Sequence, residues 1–165
     1  MFPDSILKNE SKDILLDVPY TNSIHKTYVC RMKNIDKLRY GDILIIYRTA
    51  EEGKSAEYTS VVTSICVVEK VSSQFNYKNF EEFYMDASTY SVFNRDNLKK
   101  WYDIGGCYII KMTYNSALRK RINRHNLIET MNFSRSDYWG FMKIDDEQLK
   151  KIVKVGEVNE SIIIY

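Results

Sequence analysis

Two arginines occupy strand-like, otherwise apolar contexts, and their guanidinium groups are the first candidates in this chain for binding an anion or a base edge. Arg31 follows a short segment of Tyr, Val and Cys, and Arg48 follows the apolar run of residues 43–47. Because an unpaired buried charge is expensive, each guanidinium must reach solvent, a carboxylate or a ligand. The carboxylates available for internal pairing are Asp42, Glu57 and Glu69. Without such pairs, both arginines are expected to bind a ligand.

Aromatic side chains that could stack on a base are frequent, since the chain contains 13 Tyr, 7 Phe and 2 Trp. The candidates are Tyr28, Tyr47, Tyr58, Trp101, Trp139 and Phe141. Trp101 lies in an i, i+3, i+4 pattern with Leu98 and Tyr102, which favours helix packing for this residue. Ser60 and other small polar residues on one face of a predicted strand leave room for a ligand. The predicted ligand-binding residues are Tyr28, Arg31, Tyr47, Arg48, Tyr58, Ser60 and Trp139.

Positive charge is concentrated in residues 94–125, although the net charge of the chain is only +2. That third holds eight basic residues and two acidic residues, which leaves +6. A local basic excess beside aromatic residues predicts an anion-facing surface, and the alternative is a solvated charged surface. The predicted phosphate-binding residues are Lys99, Lys100, Arg119, Lys120, Arg121 and Arg124.

Sequence signatures of metal binding and catalysis are absent. His25 and His125 lie in no H-E-x-x-H motif, and no G-x-S-x-G motif is present. Cys30, Cys66 and Cys107 are too far apart for a C-x-x-C site, so we expect small buried residues in a reducing cytoplasm. No apolar run approaches the roughly 18 residues of a membrane span. We therefore expect a cytoplasmic protein with no metal, no cofactor, no membrane partner and no enzymatic activity.

The hydrophobic pattern predicts an α+β protein of one main domain, at residues 24–155, with a lead-in segment at 1–23 and a strand or tail at 156–165. Strands are predicted at residues 27–32, 42–49, 58–68, 107–115 and 139–142, the second of them covered on both faces. Helices are predicted around residues 80–84 and 98–102, after Asn126, and after Asp145, which forms a capping-box-like pair with Gln148.

Residues 25–31, 38–49 and 58–68 together resemble PUA-like domains of the ASCH and EVE types. The resemblance is to the module found C-terminal to GNAT-type N-acetyltransferase domains in some prokaryotic proteins, and it spans about residues 24–153. It implies a PUA-like mixed β pseudobarrel with flanking short helices that binds RNA, DNA or a modified nucleotide. The G-x-K-x-x-E-x-R motif of many ASCH domains is absent, and so is the acetyl-CoA-binding signature of the acetyltransferases.

The leading functional hypothesis is therefore a non-catalytic module that binds nucleic acid or a modified nucleotide. One alternative is an interaction or regulatory module that docks a fused or neighbouring acetyltransferase domain, because residues 1–18 and 162–165 look incomplete in isolation. Another is a small amidohydrolase acting on a modified nucleoside through Lys26, Thr59 and Glu69.

Overall fold

The computed structural model describes residues 23–158. Its strands are β1 (His25–Cys30), β2 (Ile43–Arg48), β3 (Val61–Ser73) and β4 (Tyr108–Asn123). Its helices are α1 (Ala56–Thr59), α2 (Phe80–Ser88), α3 (Arg95–Ile104), α4 (Arg124–Met131) and α5 (Asp146–Val155). Most of the predicted lead-in segment, residues 1–22, and most of the predicted tail, residues 159–165, lie outside the described residues.

The four strands form one antiparallel sheet in the order β1-β4-β3-β2. In the pairing of β1 with β4, His25 faces Thr113 and Cys30 faces Tyr108. The predicted α+β class is confirmed. Within residues 23–158 the sheet is open, with β1 and β2 at its edges, so the predicted closure into a pseudobarrel is not observed.

The described chain divides into two compact units. Unit 1 contains Leu44–Cys66 and residues 115–158, and unit 2 contains residues 23–43 and Val67–Tyr114. The long strands β3 and β4 each contribute residues to both units, whereas β1 belongs to unit 2 alone.

Helices α2 and α3 form the aromatic core of unit 2, as the spacing of their apolar residues predicts. Phe83 is fully buried, and its ring lies 5.1 Å from that of Tyr102. Each helix begins at an asparagine whose side chain accepts a hydrogen bond from a first-turn N–H group: Asn79 for α2 and Asn94 for α3. Trp101 packs on Phe93 at 4.8 Å, in agreement with its predicted packing role.

Helix α4 of unit 1 begins three residues earlier than predicted. Asn123 ends β4 and caps α4, since its Oδ1 accepts a hydrogen bond from the Asn126 N–H at 2.9 Å. The prediction that Asn126 starts the helix is wrong, because β4 continues to residue 123 and not to 115. The predicted capping box of α5 is confirmed: Asp145 and Gln148 bond reciprocally at 2.7 and 3.0 Å.

Three strand predictions in unit 1 need correction. Tyr58 lies in the one-turn helix α1, not in a strand, because Thr59 and Ser60 donate backbone hydrogen bonds to Ser55 and Ala56. Residues 139–142 are not a strand either; Phe141 donates to the Tyr138 carbonyl in a turn. Finally, every residue of β2 is only partly buried, as expected for an edge strand, so the prediction of a strand covered on both faces is wrong.

The three cysteines are free and buried, as predicted. Burial raises the pKa of Cys30 and of Cys107 to about 11, so both thiols stay protonated near neutral pH. None of the helices within residues 23–158 has the length and apolar character needed to cross a membrane.

Replacing Asn123 with Ala should destabilise the protein, because α4 then loses its N-terminal cap. The expected loss in the free energy of unfolding is about 0.5–2 kcal/mol, measured by urea denaturation. Asn126→Ala is the matched control, since the Asn126 side chain is exposed and caps nothing; we expect a change within about 0.5 kcal/mol. A larger loss in the control than in Asn123→Ala would contradict the observed helix start.

Candidate functional site

Trp139 lies at the centre of an aromatic cluster in unit 1. Its ring centroid lies 5.4 Å from that of Tyr47 and 5.8 Å from that of Phe133, and the planes are tilted by 38° and 33°. The Cζ atom of Arg124 lies 4.4 Å from the Trp139 ring centroid, within the range of a cation–π contact. The indole N–H donates to the Ser134 carbonyl at 3.2 Å. Three separate chain segments therefore converge on one partly exposed indole.

The secondary structure explains this convergence. Tyr47 is near the end of β2, and Arg124 is the first residue of α4. The Arg124 N–H donates to the Ser60 carbonyl at 3.0 Å, which places the start of α4 beside the start of β3. Helix α4 ends at Asn132 in a left-handed conformation (φ 59°), and the chain then turns so that Phe133 is buried.

Arg124 is held by backbone contacts and keeps part of its hydrogen-bonding capacity. One Nη atom donates to the Arg135 carbonyl at 3.1 Å, but the buried Nε has no partner among the described residues. A guanidinium group carries five donors in a fixed plane, so stacking on Trp139 leaves its edge available for an acceptor.

Tyr58 and His125 form a second stacked pair in unit 1. Their ring centroids are 5.1 Å apart and tilted by 31°. Tyr58 is 60% exposed, so one end of this pair is open to solvent. Since His125 follows Arg124 directly, both ring contacts are set by the start of α4.

A carboxylate network lies beside these rings. The Oε1 atom of Glu57 accepts a hydrogen bond from His125 Nδ1 at 2.9 Å and another from Arg135 at 2.9 Å. Arg135 also pairs with Glu129 at 2.8 Å. The Arg135 hydrogen bond, followed by that of His125, lowers the pKa of Glu57 to about 2, and the pairing with Glu57 raises the pKa of Arg135. Glu57 is therefore ionised at neutral pH and acts only as an acceptor.

The donor atoms of Glu57, His125 and Glu129 lie within 4.8 Å of one another, a spacing that a metal ion can bridge. Arg135 already binds both carboxylates with its guanidinium group. A metal ion would have to displace that cation, so the arrangement fits an ion-pair network better than a metal centre.

The structure brings some predicted ligand-binding residues into contact within unit 1, and others belong to unit 2. Tyr47 and Trp139 are in direct contact. Tyr58 stacks on His125, the residue after Arg124. Ser60 is fully buried and its hydroxyl accepts from the Ala50 N–H, so it holds the loop and lines no open face. Arg48 ends β2 and makes no ion pair with a described residue.

The other two predicted ligand-binding residues belong to unit 2. Tyr28 is 5% exposed and packs near Phe93, with ring centroids 6.0 Å apart. Arg31 lies just after β1, not inside it, and its Nε donates to the Gly105 carbonyl at 2.7 Å. Neither Arg31 nor Arg48 forms the internal pairs with Asp42, Glu57 or Glu69 that the sequence allows.

The predicted phosphate-binding residues are also divided between the units. Lys99 and Lys100 lie on α3 in unit 2, where the Lys99 ammonium pairs with Asp103 at 2.5 Å. Residues 119–121 of β4 are exposed in unit 1. Side chains alternate along a strand, so Arg119 and Arg121 share one face and Lys120 points to the other.

Of the residues proposed for an amidohydrolase, Lys26 and Glu69 lie in unit 2 and Thr59 lies in unit 1. Glu69 accepts hydrogen bonds from His25 and Thr113, which face each other across β1 and β4. Lys26 is next to His25 on β1, so its side chain points to the opposite face of the sheet. Thr59 lies on α1 in unit 1, where its hydroxyl donates to the Ser55 carbonyl.

Sequence reasoning missed Phe133 as a neighbour of Trp139. It also missed the network that joins Glu57, His125, Glu129 and Arg135. Glu57 and His125 are 68 positions apart, and no spacing rule links them. The only available signal is the Ser/Arg/Asp-rich stretch around Trp139.

Comparison with protein-family models, with curated proteins and with solved structures finds no match for this chain. The geometry of unit 1 is therefore the basis for the functional argument.

The Glu57 network should stabilise the protein in a pH-dependent way. The folded-state pKa of Glu57 is about 2, below its ordinary value of about 4.5, so its contribution is complete above pH 4.5 and is lost as the pH falls towards 2. Glu57→Gln should therefore destabilise the protein at pH 5 by an amount set by the free-energy difference between the parent and the variant. That difference should shrink between about pH 4.5 and 2, measured by urea denaturation at each pH. A difference that grows on acidification would contradict the network.

Proposed function

We propose that unit 1 binds single-stranded nucleic acid or a modified nucleotide, with a base stacked on the aromatic side chains around Trp139. The observation that carries this proposal is the convergence of Tyr47, Trp139 and Arg124 on one partly exposed surface. Base–aromatic stacking contributes roughly 1–3 kcal/mol per base and tolerates many sequences. Arg124 supplies a cation next to the ring, where a phosphate or a base carbonyl is the natural acceptor.

The basic residues near the C-terminal end of β4 support the proposal that the phosphate backbone of the ligand binds there. Arg119 and Arg121 are exposed and lie a few residues before Arg124 on the same chain segment. A base held by aromatic side chains and a backbone held by arginines is the division of labour found in proteins that bind single strands.

The resemblance to PUA-like domains supports the same ligand class and remains part of the proposal. The antiparallel sheet with flanking short helices is compatible with it, and the pseudobarrel is the finer form that we propose for the complete domain. The docking alternative depends on the chain ends, which lie outside the described residues.

Removing the stacking ring should weaken binding. Trp139→Ala is expected to reduce affinity for a 12-nucleotide single strand by about 5- to 150-fold, the equivalent of 1–3 kcal/mol. Arg124→Gln should also weaken binding, measured by fluorescence anisotropy. Arg95→Gln is the matched control, because Arg95 is likewise the first residue of an Asn-capped helix and lies 4.7 Å from the ring centroid of Tyr84. Equal losses for Arg124→Gln and Arg95→Gln would contradict the site.

Phosphate contacts should make the affinity depend on salt. Log affinity falls with log salt at a slope of about 0.7 per neutralised phosphate for a single strand, so three or four contacts give a slope of roughly −2 to −3. Replacing Arg119, Lys120 and Arg121 together with Gln should flatten that slope and weaken all sequences alike. Replacing Lys99 and Lys100 on α3 with Gln tests the other two predicted phosphate-binding residues of this set in unit 2, with the salt slope again as the readout. An affinity that does not depend on salt would disprove the backbone path.

A further inference from the structure

The two oxygens of the Glu57 carboxylate are used unequally. Oε1 accepts both close hydrogen bonds, from His125 and from Arg135, at 2.9 Å each. Among residues 23–158, the one hydrogen-bond partner of Oε2 is the Arg135 Nε at 3.4 Å, which is long for an N–H···O bond. An ionised carboxylate has about four lone-pair positions, so Oε2 keeps acceptor capacity that the described residues do not use well.

The position of this oxygen matters because of the ring next to it. Glu57 and Tyr58 are consecutive on α1, and Tyr58 stacks on His125, which itself bonds to Glu57. The Glu57 side chain is 27% exposed, so solvent or a ligand reaches it. A base stacked on the exposed side of this pair would have its edge close to a charged acceptor.

We infer that Glu57 reads the base, by accepting a hydrogen bond from an exocyclic amino group through Oε2. This inference rests on the proposed nucleic-acid-binding function: one base of the strand stacks on the aromatic side chains around Trp139, and another, the base that Glu57 reads, stacks on the Tyr58–His125 pair. The site would take cytosine, adenine or guanine, or a modified form that keeps an amino N–H. It would reject uracil and thymine.

Base chemistry explains the discrimination. The N4 amino group of cytosine donates to a carboxylate, which is an established pairing for Glu and Asp. Uracil carries a carbonyl oxygen at that position, and its single N3–H lies between two carbonyl oxygens. A carboxylate approaching that edge meets partial negative charge on both sides. Binding is weakened further because the carboxylate loses water without gaining an amino N–H donor from the base. The amino group would replace a poor contact with Arg135 and would not disturb the two good ones.

Glu129 supplies a matched comparison. It also pairs with Arg135, but its side chain is 49% exposed, and no hydrogen bond joins it to His125 among the described residues. If Glu57 acted only by anchoring Arg135, removing the charge from either glutamate would have the same effect on base preference.

The test compares oligo(dC) and oligo(dU) of 12 nucleotides, which carry equal phosphate charge, as anisotropy ligands of the whole chain. The parent protein should bind oligo(dC) about tenfold more tightly, because one good base-edge pair discriminates by roughly that factor or more. An oligonucleotide of N4,N4-dimethylcytosine has no amino N–H and should bind like oligo(dU). Glu57→Gln should reduce the ratio of the affinity for oligo(dC) to the affinity for oligo(dU), and Glu129→Gln should leave that ratio unchanged.

Two results would overturn the inference without affecting the proposed function: equal affinity for oligo(dC) and oligo(dU), or full affinity for the dimethylated oligonucleotide, in a protein whose binding still depends on Trp139. The dimethylated ligand tests the parent protein, so the result does not depend on how well Glu57→Gln folds. Binding that survives Trp139→Ala unchanged, or no binding of any oligonucleotide, would instead reject the proposed function and the inference with it.

Discussion

The contact on which the rest of unit 1 depends is the pair of hydrogen bonds that His125 and Arg135 donate to one oxygen of Glu57. These three residues come from α1, from α4 and from the loop after α4. The contact fixes Tyr58 against His125 on one side. On the other side, the Arg135 side chain pairs with Glu57, and the Arg135 carbonyl accepts a hydrogen bond from the Arg124 side chain. Because Arg124 lies over Trp139, the aromatic cluster and the ion-pair network share one scaffold.

The sheet supplies the geometry that makes this contact possible. At Asn123 the chain changes from strand to helix without a connecting loop, and Asn123 caps the new helix. At Ser60 it changes from the one-turn helix α1 to β3, and the Ser60 carbonyl accepts from the Arg124 N–H. Two consecutive pairs of functional residues, Glu57-Tyr58 and Arg124-His125, are thereby held side by side. Short helices at strand ends are more precise than free loops for positioning such groups.

Sequence reasoning predicted what depends on local periodicity. The helices around Phe83 and Leu98, the capping box at Asp145 and the apolar strand before Arg48 all have signals within one or two turns of chain. It failed where tertiary contacts override propensity. The β-branched and small residues after Tyr58 favoured a strand, but hydrogen bonds to Ser55 start a helical turn. The Glu57–His125 pair has no local signal, because Glu57 precedes β3 and His125 follows β4, 68 positions further along the chain. For the same reason, the sequence did not show which of the predicted ligand-binding residues contact one another. Tyr47 and Trp139 are in contact, whereas Tyr28 is part of the core of unit 2.

The most direct test of the central claim uses the two tryptophans as separate reporters, since the chain contains no others. Their indole N–H groups give two signals in a two-dimensional nitrogen–proton NMR spectrum, assigned with Trp101→Phe. On titration with a 12-nucleotide single strand at low salt, the Trp139 signal should shift or broaden progressively, while the Trp101 signal, from a ring packed on Phe93 in unit 2, should stay in place. A Trp139 signal that does not change while the oligonucleotide demonstrably binds would contradict the assignment of the site.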